Sequence, residues 1–359
     1  MNLTTRVLRR RAGYGWFLAL ALAALVPVVD HLLLPQFRVT GQLVPVLTFA
    51  IVALGLNIVV GFTGLLHLGA AAFMAVGAYA FAILTAPAYP FQVGFWCGLG
   101  LATGAGALAG LLLALPTMRL RGDYLAVVTL GCGEIVKELL KNLAPITKGP
   151  QGINPLPPPA LGPWTPGPTE PAASWWLYLL ILAVVVVVNL NLRRSRLGRA
   201  WTAVREDELA ARAMGVEAAA AKRSAFAFGS AFCALGGAMM ASFSTGVEPA
   251  TYDFQMSIIV LCIVVLGGMG SVAGVLVGSA AIMGFNQVGL PLITRLLGGG
   301  AEAHPLLDAN NWKFMIFGLV LVVMMRCRPE GLVPAREVQA ELHHDPEDHD
   351  PEEQREGVL

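Results

Sequence analysis

The chain has 359 residues, 56% of them hydrophobic and only 13% charged, with a mean hydropathy of +0.67 and a formal net charge of +1. A soluble domain carries about 25% charged residues, so a water-facing surface over the whole length is excluded and lipid must cover most of it. The near-zero net charge hides an asymmetry, because residues 337–359 hold 9 Asp and Glu against one Arg while the body before them is basic.

A bilayer core of about 30 Å takes about 20 mostly apolar residues per helix. The apolar runs predict ten spans, at 16–34, 43–60, 68–86, 92–115, 123–143, 174–192, 223–243, 254–268, 272–291 and 311–327. The first follows Arg9-Arg10-Arg11 and is read as an uncleaved span, since Ala19-Leu20-Ala21 comes too early for a signal cleavage site. Five spans precede the Pro-rich segment 144–173 and five follow it. An odd number per half lets the halves be inverted copies, a common transporter plan.

Orientation is read from arginine. Arg6 and Arg9–Arg11 put the N-terminus in the cytoplasm. Ten alternating spans then place Arg119 and Arg121, the segment 193–222 with six arginines, and the C-terminus after Arg326 and Arg328 on the same side. The segment 144–173, with one Lys and one Glu, falls outside. The predicted organisation is an all-α integral membrane domain over 1–336 followed by an acidic, disordered cytoplasmic tail over 337–359. Histidines 343, 344 and 349 in that tail are read as solvated, and no metal or cofactor is expected.

Cys97, Cys132, Cys233, Cys262 and Cys327 form no CxxC pair and sit in apolar runs, where cysteine behaves as a small hydrophobe. Gly100, Gly104, Gly106 and Gly110, and again Gly270, Gly274 and Gly278, are spaced for close helix contact.

Three stretches carry candidate chemistry. In 55–69, Asn57 interrupts an apolar run and Gly61, Gly64 and Gly69 loosen the helix. Broken helices at membrane depth persist where protein or a water-filled cavity satisfies their backbone, so Asn57, Thr63 and His67 either line a substrate path or make a tight turn. In 120–137, Glu134 lies inside a span, where a charge costs about 2.5–3.5 kcal/mol and demands a partner. Either it pairs with Lys137 or it lines the pathway and meets a substrate ammonium. Residues 199–214 predict one amphipathic helix, with Ala200, Ala203, Val204, Ala210 and Met214 on a shared face, Arg205, Glu206 and Glu208 polar, and Gly215 as a left-handed cap. Its small-residue face suits docking into another protein more than lying on lipid. Glu248-Pro249 and Asp253 read as a surface turn or as a contact for a delivery partner.

No Gly-Lys dipeptide is present, so there is no GxxxxGK[ST] phosphate loop, and neither HExxH nor GxSxG occurs. The chain is therefore read as a transport subunit without its own catalytic site.

The blocks GLNIVVGFTGLLHLGAAAF, LRGDYLAVVTLGCGEI, GPQGI, GRAWTAVREDELAARAMGV, VVLGGMGSVAGVLVG and RPEGL occur in order from Gly55 to Leu332. In them the chain resembles the permease subunits of bacterial branched-chain amino acid ABC importers, on the LivM-like side of the LivH/LivM pair. The resemblance implies an importer fold of about ten helices and an inner-membrane location. It also implies a LivH-like second permease, two cytoplasmic ATPases and a periplasmic substrate-binding protein as partners. It implies that Arg199, Arg205, Glu206, Asp207 and Gly215 form the ATPase contact. Relatives often carry Ser where this chain has His67 and His where it has Ala70, so a role for the family's histidine does not carry over. Permeases for urea and short amides share these blocks and are the rival substrate reading. A secondary transporter is a more distant one.

Overall fold

The computed structural model describes residues 39–117, 123–159, 170–296, 312–328 and 330–334. The expected first span, Arg119, Arg121 and the acidic tail lie outside them. A helix lies at every expected span position that the described residues cover. In chain order these are α1 (Val39–Asn57), α2 (Ala70–Thr85), α3 (Phe95–Thr117), α4 (Asp123–Asn142), α5 (Pro171–Arg194), two short helices α6 (Arg196–Glu206) and α7 (Glu208–Ala213), then α8 (Ala218–Ser244), α9 (Phe254–Gly267), α10 (Val272–Gly284), α11 (Leu290–Leu296) and α12 (Lys313–Cys327). Wider π turns extend α1 through Ile58–Phe62 and join α10 to α11 through Phe285–Gly289.

Five helical stretches among the described residues are long and apolar enough to cross a membrane: Thr40–Phe62, Phe95–Thr117, Pro171–Arg194, Ala218–Ser244 and Val272–Thr294. Helices α2 and α9 are apolar but shorter. A helix apolar on all sides belongs in the middle of a bundle. Accordingly the α1 stretch is mostly buried and α3 mostly is not, so α1 is central and α3 is peripheral. Leu101, Leu108, Leu112 and Leu115 of α3 face outward, as lipid contact requires.

Two central helices, α1 and α8, pack on each other. The α2–α3 hairpin packs on α8, and the α9–α10 hairpin packs on α1. Without a hydrophobic drive in lipid, such contacts rely on small residues that let backbones approach. A Cβ on Gly77, Gly106 or Gly110 would collide with Ser230 or Ala234 of α8, and one on Gly237 would collide with Met74. Gly100 and Gly104 face open space instead. Of the four glycines expected to make close contact on α3, only the two on its inner face do so. Gly274 and Gly278 close the α9–α10 hairpin against Gly267 and Ile263.

The loops sort into two ends, as an alternating bundle demands. At one end, the 63–69 connector, the α6–α7 region, the α9–α10 turn and residues 330–334 touch one another. There Leu332 and Val333 donate to the carbonyls of Leu266 and Gly267 at 2.8 and 3.0 Å. At the other end, the Tyr89 hydroxyl donates to the Ile146 carbonyl, and Ile153 exchanges backbone bonds with Val247 at 3.0 and 3.2 Å. Asp253 and Ser271 cap α9 and α10 by accepting from Met256 and Gly274 at 2.9 and 3.0 Å. Asp253 is thereby a helix cap, which agrees with the surface-turn alternative.

Candidate coupling site

The region after α5 begins with Ser195, whose hydroxyl oxygen accepts from the Gly198 amide at 3.3 Å and so caps α6. The chain does not form one helix over 199–214. It breaks at Asp207, whose backbone is extended and whose carboxylate accepts from the amides of Leu209 and Ala210 at 2.7 and 3.1 Å. Aspartate satisfies the orphan amides of a new helix better than it continues an old one, which is the physical reason for the break. Gly215 ends α7 at φ +84° with open space around it, and its amide donates to the Arg212 carbonyl at 3.0 Å.

The break also divides the expected apolar face. Trp201 turns inward and is 0% exposed, its indole N–H reaching the Ala221 carbonyl at 3.0 Å and the Ser224 hydroxyl at 2.9 Å. Its ring stacks on Phe62 with centroids 6.4 Å apart. Val204 is buried beside it. On α7 the faces reverse, with Leu209 68% and Met214 84% exposed. Thus α6 is anchored in the bundle through Trp201 while α7 presents an apolar surface outward. Glu208 ties α7 to α8 through Lys222 at 2.8 Å and also pairs with Arg212. The hydrogen bond from Lys222 holds the Glu208 carboxyl below its usual range, against a smaller opposing effect of burial.

The structure brings Arg205 and Asn57 to the same place. Arg205 Nη1 donates to the Gly61 carbonyl at 2.8 Å. Gly61 sits in the π turn that ends α1, and such turns are frequent at functional sites. Asn57 Oδ1, just before that turn, accepts from the Gly270 amide at 2.8 Å. A Cβ at Gly61 would collide with Asn57 Oδ1 and with the Gly270 nitrogen, so glycine is required for the three chains to meet. Phe62, Arg193, Thr202 and Glu206 complete the walls of a small cleft at this junction. The Arg193 guanidinium lies 5.8 Å from the Phe62 ring centroid, within cation–π range.

The other candidates are spread more widely. Thr63 donates to the Val59 carbonyl at 2.6 Å, which also accepts from the Leu65 amide at 3.2 Å. His67 is buried between Phe73 and Phe226, with centroids 5.4 and 5.5 Å away. Neither of its ring nitrogens has a hydrogen-bond partner among the described residues. His67 lies in the connector between α1 and α2, and burial pushes its imidazole down to about 4, so it is neutral at pH 7. Glu134 pairs with Lys137 at 3.1 Å on a partly exposed stretch of α4, with its carboxylate side chain 42% exposed. Arg199 is exposed and donates to the Arg194 carbonyl at 3.1 Å, and Glu206 is exposed beside the break. Sequence reasoning missed Gly270 and Trp201 as parts of this junction. A tryptophan in a short charged loop was the available signal.

Residues 39–325 match the family described as branched-chain amino acid transport system permease component. The chain is 40% identical over 316 residues to the high-affinity branched-chain amino acid transport system permease protein LivM of Escherichia coli, covering 82% of this chain and 69% of that one. The Salmonella typhimurium LivM is 39% identical over the same shares. The high-affinity permease protein LivH of Escherichia coli is 24% identical over 81% of this chain and 93% of its own. No solved structure matches the chain. On the family match and the LivM identity together, the chain belongs to the branched-chain amino acid transport permease family.

Proposed function

We propose that this chain is the LivM-like permease subunit of an ATP-driven importer and moves branched-chain amino acids across the bacterial inner membrane by alternating access. Membership of the family and the 40% identity to a LivM support the substrate class. Its partners are then a LivH-like second permease, two ATPase subunits on the cytoplasmic side and a periplasmic substrate-binding protein. The arginine-rich end that holds α6 and α7 faces the cytoplasm, with both termini on that side.

The observation that carries the mechanism is the Arg205 bond to Gly61, which joins an inner-side helix to a broken central helix. A ligand that binds two states equally shifts nothing between them, so the energy for uphill transport must enter through a contact with the ATPase. Helix α7 offers that contact. Leu209 and Met214 are its apolar knobs, while Glu206, Asp207 and Arg199 supply charge and Gly215 sets the return angle. Motion of α7 passes to α6, held rigid by Trp201, and from Arg205 to the end of α1. From there Asn57 passes it to the α9–α10 hairpin. Asn57, Thr63 and His67 shape the inner end of the substrate path in this reading, and Glu134 belongs to its exposed wall.

The reciprocal packing of the two hairpins on α1 and α8 supports two inverted halves of five spans each. The test of the assembly is affinity purification of the tagged chain from native membranes. A second permease and an ATPase are expected to come with it, and purification of the chain alone would refute the reading.

A further inference from the structure

At the outer end of the bundle two distant segments are clasped together. Ile153 and Val247 exchange backbone bonds, and the Leu156 amide donates to the Thr245 carbonyl at 2.8 Å. The clasp needs glycine twice, since a Cβ at Gly152 would strike the Val247 carbonyl and one at Gly246 would strike the Asn154 side chain. Between the clasp and the end of α8 lies a cavity of about 230 Å³. At roughly 30 Å³ per water it has room for about seven waters, or one small zwitterion.

Its wall is two-faced. Met240 and Val247 are apolar, while Ser244, Thr251, Tyr252 and Glu248 are polar. Glu248 is the one charged residue on that wall; it is exposed, as are Ser244 and Thr251, so the site opens to solvent, and no ion pair engages Glu248 among the described residues. The other acidic candidates are already engaged, Glu134 by Lys137 and Asp253 by the α9 cap. The Tyr79 hydroxyl of α2 is buried and has no hydrogen-bond partner among the described residues.

From this we infer that the cavity is a receiving site for one aliphatic α-amino acid, with Glu248 as the acceptor for its ammonium group. The hydroxyls of Ser244 and Thr251 donate to the substrate carboxylate, and Met240 and Val247 take the aliphatic side chain. A carboxylate binds an ammonium by a charge-assisted hydrogen bond, stronger than the one it accepts from a neutral amide, so the site favours an amino acid over urea. The inference rests on the amino-acid reading of the function and adds the place where substrate first meets this subunit.

The test uses the complete importer in proteoliposomes with its loaded binding protein. Glu248→Gln is expected to raise the KM for labelled leucine about tenfold, equivalent to about 1.4 kcal/mol. Stimulation of ATP hydrolysis by the loaded binding protein stays unchanged, and Glu248→Asp restores most of the affinity. An unchanged KM in Glu248→Gln, with the wild type carrying leucine, overturns this site alone. Parallel loss of binding-protein stimulation overturns it in favour of a docking contact for that partner. A wild-type importer that carries urea and no leucine overturns the substrate reading beneath it as well.

Discussion

Replacing Arg205 by alanine removes the donor to the Gly61 carbonyl, a 2.8 Å charge-assisted bond in a partly buried cleft. Hydrogen bonds of this kind contribute about 1.5–3 kcal/mol. The carbonyl belongs to a π turn that is buried in full, so water does not replace the lost donor at no cost. If that bond biases α1 toward moving with α6, its loss shifts the coupled equilibrium by roughly 10- to 100-fold. The assay is the number of ATP molecules hydrolysed per leucine taken up by the reconstituted complex. Arg205→Ala is expected to keep its ATPase activity and its partners while uptake falls at least about tenfold on that scale. Lysine at this position keeps the charge but lacks the planar fork, so Arg205→Lys should recover part of the uptake. An unchanged ratio in Arg205→Ala, with the complex intact, would refute transmission through this bond.

The remaining expectations concern neighbouring residues. Gly61→Ala places a methyl against Asn57 and Gly270 and should lower the thermal stability of the purified complex as well as its uptake. Reversing Glu206 and Asp207 to arginine removes the α7 cap, worth about 1 kcal/mol, and a bulky residue at Gly215 forces a left-handed backbone that costs about 1–2 kcal/mol. Both changes should leave insertion intact and weaken ATPase co-purification. His67 gives a pH dependence with a definite sign. Its folded value of about 4 lies below the ordinary 6.5, so the unfolded chain binds more protons between them. Its contribution to stability is therefore complete above about pH 6.5 and is lost as pH falls toward 4. Melting temperatures of wild type should drop more steeply over that interval than those of His67→Leu.

Much of the architecture was legible because lipid leaves a strong mark on sequence. Runs of apolar residues located the helices that the described residues cover. Motion-bearing detail was harder to read. The continuous helix expected over 199–214 overlooks the N-cap preference of Asp207, whose carboxylate accepts from the amides of Leu209 and Ala210. A single continuous helix put Ala210 and Met214 on the face of Val204, whereas the restart at Asp207 turns them outward. Spacing alone could not separate Gly106 and Gly110, which touch α8, from Gly100 and Gly104, which do not, because that choice depends on which side of α3 its neighbours occupy. The partners of Asn57 and Arg205 lie 213 and 144 residues away in sequence, beyond any local pattern. For Glu134 the sequence posed the right alternatives, and the pair with Lys137 is formed.

The central claim is that energy for transport reaches this chain from an ATPase through its inner helices. Uptake of labelled leucine into vesicles decides it most directly. Vesicles holding the chain with its second permease, ATPases, binding protein and internal ATP should accumulate leucine, and vesicles holding the chain alone should not. Accumulation by the chain alone, driven by an ion gradient and indifferent to ATP, would contradict the claim.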